Sequence, residues 1–169
     1  FHKWCDRVST ANIAQIVNVL QALVQTKGDK MWLTPTYHLF ALYAPHRGAQ
    51  AVRAEIGDAS ERDVKAVTNM HGASTPPGSM ALLSASASKK DGQLIVSLSN
   101  EAQEVTLTVR DGSLHGGRLH TMAGAANAYN TAEQPDAVGI TQADVQAQGD
   151  TLTLNLPPCS VQTLVLNLA

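Results

Sequence analysis

The stretch Ala11-Asn12-Ile13-Ala14-Gln15-Ile16-Val17-Asn18-Val19-Leu20-Gln21 decides how this chain is read. Continued through Leu23 and Val24, it places apolar residues at Ile13, Ile16, Val17, Leu20, Leu23 and Val24. That is the i, i+3, i+4, i+7 spacing of an amphipathic helix. Yet the approach to it, Val8-Ser9-Thr10-Ala11-Asn12-Ile13, is β-branched and suits a short buried strand. Periodicity alone does not separate the two over so short a run. Asn12, Gln15 and Asn18 recur at every third position, so one side of the stretch carries amides.

Outward from there, Thr26-Lys27-Gly28-Asp29-Lys30 reads as a turn. Pro35 disfavours helix at Thr34 and is well suited to open one itself. A helix is expected over residues 36–44, with Leu39, Phe40, Leu42 and Tyr43 as its apolar residues, ended by Pro45-His46-Arg47-Gly48. Beyond about residue 50 the period changes to two. Strands are expected over residues 52–56, 80–88, 93–99, 104–109, 118–122, 151–156 and 160–168, with 61–70 either a strand or an irregular connection. Asp91-Gly92 is a hairpin turn, residues 72–78 form a loop, and residues 124–139 form a long polar loop that is functional or wraps the domain. The final run, residues 161–168, is too apolar for a sheet edge and is placed centrally.

The fold class that follows is mainly β: an antiparallel β-sandwich or jelly roll over residues 51–169, preceded by a helical remnant of a larger domain over residues 1–50. The chain does not open with Met, and Phe1-His2-Lys3-Trp4-Cys5-Asp6-Arg7 lacks the apolar core of a signal peptide. These residues read as the end of a helix begun upstream, so a fragment is expected.

Composition narrows the function classes. Charged residues are only 15%, the formal charge is −2 and the pI is about 6.3, which gives no electrostatic case for nucleic acid. No apolar run has membrane-spanning length. Cys5 and Cys159 are too far apart in sequence for a metal pattern, and the six histidines show no paired ligand spacing, so neither a metal nor another cofactor is expected.

Three runs carry a likeness to a known family. They are residues 11–23, the stretch Leu33-Thr34-Pro35-Thr36-Tyr37-His38-Leu39-Phe40 with Tyr43-Ala44-Pro45-His46, and Asn127-Ala128-Tyr129-Asn130-Thr131-Ala132-Glu133-Gln134-Pro135-Asp136-Ala137-Val138. In this order they resemble the C-terminal part of the α-L-arabinofuranosidases of glycoside hydrolase family 51. The resemblance implies a (β/α)8 barrel followed by a β-sandwich. Residues 8–14 would then be the last barrel strand, and residues 36–44 would lie in the last barrel helix, which favours strand over helix for the opening stretch. It implies a retaining hydrolase of arabinofuranosyl-containing glycans, working with two glutamates. Gln15 would fall at a strand end, where barrel active sites lie, and would hydrogen-bond the sugar.

The glutamates of this chain are Glu55, Glu61, Glu101, Glu104 and Glu133, all in the β-region. No catalytic residue is carried over, and the chain by itself is expected to be inactive. Trp32, in the loop after the presumed strand, is the second candidate for lining the sugar cleft, whereas Trp4 is assigned to core packing. Asn12 and Asn18 are read as structural, Tyr37 and His38 as packing near the rim, His46 as a domain-junction residue, and Asp136 as bonding its own turn. The competing class is a non-catalytic carbohydrate-binding or assembly module. It would need an aromatic platform, and beyond residue 50 the only aromatic is Tyr129. The apolar residues Ile13, Ile16 and Val17 are expected to repack on the sandwich or to pair with another copy of the chain, as a homo-oligomer.

Overall fold

The computed structural model describes residues 1–169 except Gln15, Gln21, Asp58, Ala59, Asn69, Met70, His71, Ala73, Glu101, Ala102 and Asp111; at Gln103 it describes the backbone. A short 3-10 turn at His2–Trp4 precedes β1 (Val24–Lys27), β2 (Lys30–Leu33) and α1 (Pro35–Tyr43). A second 3-10 turn, Ala44–His46, leads to β3 (Gln50–Val52), β4 (Glu61–Val64), β5 (Val67–Thr68), β6 (Ser74–Thr75) and β7 (Gly78–Ala81). The remaining strands are β8 (Leu83–Lys90), β9 (Gln93–Asn100), β10 (Gln103–Thr108), β11 (Leu114–Ala123), β12 (Ile140–Val145), β13 (Thr151–Leu156) and β14 (Ser160–Leu168).

The centre is a six-stranded sheet in the order β12-β11-β14-β9-β8-β3. Every pairing in it is antiparallel. The strand β14 lies inside the sheet, between β11 and β9, as its apolar composition requires. Asp91 and Gly92 both take positive φ, 51° and 74°, the backbone that a tight β8–β9 hairpin demands.

Each face of this sheet has its own cover. On one, Leu94, Val96 and Leu98 of β9 meet Leu164 and Leu166 of β14, and Leu152, Leu154 and Leu156 of β13 pack over them. The β10–β13 pair is therefore a second layer. Leu164 and Leu166 are fully enclosed, and each such leucine contributes about 1.5–3 kcal/mol of burial free energy. Successive side chains alternate faces, so Ile95, Ser97 and Thr163 belong to the other side. There His46, at the end of the helical module, hydrogen-bonds Ser88 and Ser97. Burial on both faces explains why Leu94-Ile95-Val96 runs apolar without alternation, each of the three being buried.

The expected helix over 36–44 is present as α1, one residue shifted. Thr34 caps it, its hydroxyl accepting from the Tyr37 N–H at 3.4 Å, and Pro35 opens it. The stretch that opened the sequence reading departs from both expectations. Residues 8–14 form no strand, and the described residues among 13–24 form no helix. A strand there needs neighbouring strands to bond its backbone, and the described residues supply none over 8–14. A helix fails because Asn18 takes a φ of 55°, and because Val24 is drawn into a hairpin with Leu33. Trp4 is 54% exposed and packs in no core. Of the three residues expected to repack or to pair, Ile13 is half-buried, whereas Ile16 and Val17 are 61% and 49% exposed, and Leu20 nearby is 93% exposed. The strand expected over 52–56 is limited to Gln50–Val52 at its start. The expected loop over 72–78 carries β6 and leads into β7, and β12 lies where none was expected. The expectation for residues 61–70 runs into Asn69 and Met70, outside the described residues.

Candidate functional site

The three runs that carry the family likeness are bonded to one another, Thr34 to Ala22 and Asn130 to Leu33. The hairpin β1–β2 turns at Gly28 and brings Leu33 back beside Val24. Residues 16–18 lie along the hairpin's first strand: the Leu23 and Val24 N–H groups donate to the Ile16 carbonyl at 3.0 and 3.1 Å, and the Asn18 N–H donates to the Val24 carbonyl at 3.1 Å. Asn18 uses its side chain as expected of a structural amide. Its Nδ2 donates to Thr26 Oγ1 at 2.8 Å, and its Oδ1 accepts from the Thr26 N–H at 2.7 Å. Thr34, buried, donates to the Ala22 carbonyl at 2.6 Å while capping α1, so one hydroxyl fixes both the hairpin and the helix.

The long loop over 124–139 wraps onto this module through Asn130. That side chain is 3% exposed and fully engaged. Its Nδ2 donates to the carbonyls of Leu33 and Val138, both at 2.8 Å, and its Oδ1 accepts from the Val138 N–H at 2.7 Å. Thr131 Oγ1 accepts from the Glu133 and Gln134 N–H groups and tightens the turn that follows. The turn is thus held by Thr131, and Asp136 makes no hydrogen bond among the described residues. Asp136 instead acts on His38 at the helix start. Burial lowers the His38 pKa, and the Asp136 charge opposes that shift. Tyr37 and His38 meet edge to face, with ring centroids 5.6 Å apart.

Gln15, the first sugar-contact candidate, lies outside the described residues. Trp32, the second, is half-buried on β2, next to the Leu33 that Asn130 holds. Its indole nitrogen is enclosed and finds no acceptor among the described residues.

The described glutamates, Glu55, Glu61, Glu104 and Glu133, are all exposed, and Glu55 is held by Arg53 at 2.6 Å and Arg110 at 3.0 Å. A cleft of about 510 Å³ opens between Pro35, Asn100, Met122, Ala128 and Val138, and among the described residues no carboxylate lines it. On its wall, Ser160 donates to Asn100 Oδ1 at 2.8 Å. A second cleft, of about 250 Å³, is lined by His2, Phe40, Tyr43, His46 and Arg47, again with no carboxylate among the described residues. Asn130 and His46 are among the residues that tie the module to the β-domain. Reading from sequence anticipated the place of His46 but not the role of Asn130, whose only signal was its position in a family-like run.

Fold and site together define an antiparallel β-domain with a hairpin-and-helix module held on one face of its central sheet. Among its described residues there is no paired-carboxylate site. The chain belongs to the α-L-arabinofuranosidase C-terminal domain family, whose family model matches residues 1–160. It is 38% identical over 176 residues to an intracellular exo-α-L-arabinofuranosidase of Bacteroides ovatus, covering 98% of this chain and 32% of that protein. Among solved structures it resembles the GH51 arabinofuranosidase from Xanthomonas axonopodis pv. citri, at 33% identity and a TM-score of 0.78, over 99% of this chain and 33% of that one. It also resembles the α-L-arabinofuranosidase from Thermotoga maritima in its arabinose complex, at 26% identity and a TM-score of 0.81, over 99% of this chain and 35% of that one. The chain thus spans about a third of the length of these relatives.

Proposed function

We propose that this chain is the C-terminal portion of a retaining α-L-arabinofuranosidase, which removes terminal α-L-arabinofuranosyl residues from arabinose-containing polysaccharides or oligosaccharides. On this reading residues 1–50 contribute the last strand and helix of a (β/α)8 barrel, and residues 51–169 form the flanking β-sandwich, a jelly roll. Gln15 and Trp32 line the sugar cleft. Both catalytic glutamates lie outside this chain, and the chain alone is inactive.

The observation that carries the reading is that the likeness to arabinofuranosidases extends through residues 1–50, and not only through the β-domain. That segment leaves Ile16, Val17 and Leu20 exposed, an arrangement that favours a covering partner such as the rest of a barrel. The rival reading as a carbohydrate-binding module gains nothing from Tyr129, a single exposed ring where a platform would need several.

Hydrolysis of an aryl α-L-arabinofuranoside tests it. A longer protein containing this sequence should turn over the substrate, and the 169-residue chain should not. Turnover by the chain alone, or none by the longer protein, would sink the reading.

A further inference from the structure

We propose that Asn130 is a positioning residue for the sugar cleft: from the β-domain it sets the placement of Trp32 and of residues 16–18. The inference rests on the arabinofuranosidase reading above. Its geometry is a continuous hydrogen-bond path. Asn130 Nδ2 donates to the Leu33 carbonyl, next in the chain to Trp32. Thr34, one residue further, donates its N–H to the Leu23 carbonyl at 3.0 Å and its hydroxyl to Ala22. Leu23 in turn donates to the Ile16 carbonyl at 3.0 Å. Ile16 follows Gln15 in the chain.

The chemistry of the path requires an amide at its head. Asn130 gives two N–H donors, one to Leu33 and one to Val138, and one acceptor for the Val138 N–H. A carboxylate of the same shape keeps the acceptor and loses both donors. It would also face the Leu33 and Val138 carbonyls with negative charge in a buried place, where mismatched polar groups are costly. The β-domain thus orients the cleft-lining segment as well as covering the barrel's flank.

Two measurements test this. In the 169-residue chain, amide hydrogen exchange is compared between wild type, Asn130→Asp and Asn130→Ala. Protection at the Leu23, Val24 and Thr34 amides should fall by about tenfold or more, with protection at Leu164 and Leu166 in β14 unchanged. Unchanged protection at the first set, or an equal loss at both, overturns the proposal. In the longer enzyme, Asn130→Asp should lower kcat/KM on an aryl α-L-arabinofuranoside by about tenfold or more, with KM raised by the displaced Trp32 and kcat lowered by the displaced residues 16–18. If the wild-type enzyme turns over and the variant matches it in both constants, the proposal fails while the functional reading stands. An inactive wild-type enzyme removes the functional reading, and the proposal with it, whatever the exchange data give.

Discussion

His46 and Ser97 are joined through His46 Nε2 and Ser97 Oγ at 2.9 Å, and this contact fastens the helical module to the middle of the central sheet. The other ring nitrogen of His46 meets Ser88 Oγ at 2.7 Å, and Ser97 passes the chain of bonds to Thr163 at 2.8 Å. His2 and Tyr43 stack around the imidazole, at 4.6 and 5.8 Å between ring centroids, and Lys90 on β8 reaches the Arg47 carbonyl beside it. Burial, and then the neighbouring His2, push the His46 pKa down to about 4.

A pH dependence follows from that contact. The folded His46 stays neutral between its ordinary value of 6.5 and about 4, whereas the unfolded chain takes up a proton there. Stability is therefore full above about pH 6.5 and is lost as pH falls toward 4, by about 3 kcal/mol in total. Denaturant titrations at pH 7 and pH 4.5 should show a smaller difference for His46→Gln than for wild type. Equal differences would mean that His46 does not carry the effect.

Gly117 sits where β11 runs between β12 and β14, just after an irregularity in its pairing with β14. A Cβ at this position would overlap the Val165 carbonyl oxygen and crowd Leu166 Cα. The obstruction is backbone on the central strand, which cannot swing aside as a flexible side chain would. Gly117→Ala should cost about 3 kcal/mol, seen as a lower denaturation midpoint. A change within about 0.5 kcal/mol would show that the sheet yields there.

How much of this was legible in the sequence depended on the range of the interactions. Strands β9, β13 and β14 were readable because Leu and Val mark their buried faces within a few residues. The hairpin β1–β2 was not, since Val24–Lys27 and Lys30–Leu33 are too short and mixed to show a period. Nor was β12, whose Ile-Thr-Gln-Ala-Asp-Val leaves four exposed residues at the sheet edge. Residues 8–20 misled because their apolar side chains, Ile16, Val17 and Leu20 among them, stay exposed instead of marking a buried face. Asn130 was illegible for another reason: its partner at Leu33 is 97 residues away, and no local pattern reports such a bond.

The exposed residues Ile16, Val17 and Leu20 bear on solution behaviour. Apolar side chains exposed this far bind hydrophobic probes and promote association. The 169-residue chain should bind 8-anilinonaphthalene-1-sulfonate and self-associate with rising concentration. The double change Ile16→Ser with Leu20→Ser should reduce both without lowering Tm, because neither side chain is buried. A lower Tm would place these residues in a folded contact.

The sharpest consequence concerns the cleft. If Gln15 donates to and accepts from a sugar hydroxyl, Gln15→Ala in the longer enzyme leaves that hydroxyl unpaired in a water-poor site. The loss is about 1–3 kcal/mol of transition-state stabilisation, or roughly five- to 150-fold in kcat/KM. Trp32→Ala should act differently. A stacking surface holds substrate and transition state to similar degrees, so its loss should raise KM more than it lowers kcat. Measured together, the two variants separate a hydrogen-bonding wall from an apolar one. Unchanged kcat/KM in Gln15→Ala would return that amide to a purely structural role, and unchanged KM in Trp32→Ala would remove the indole from the cleft.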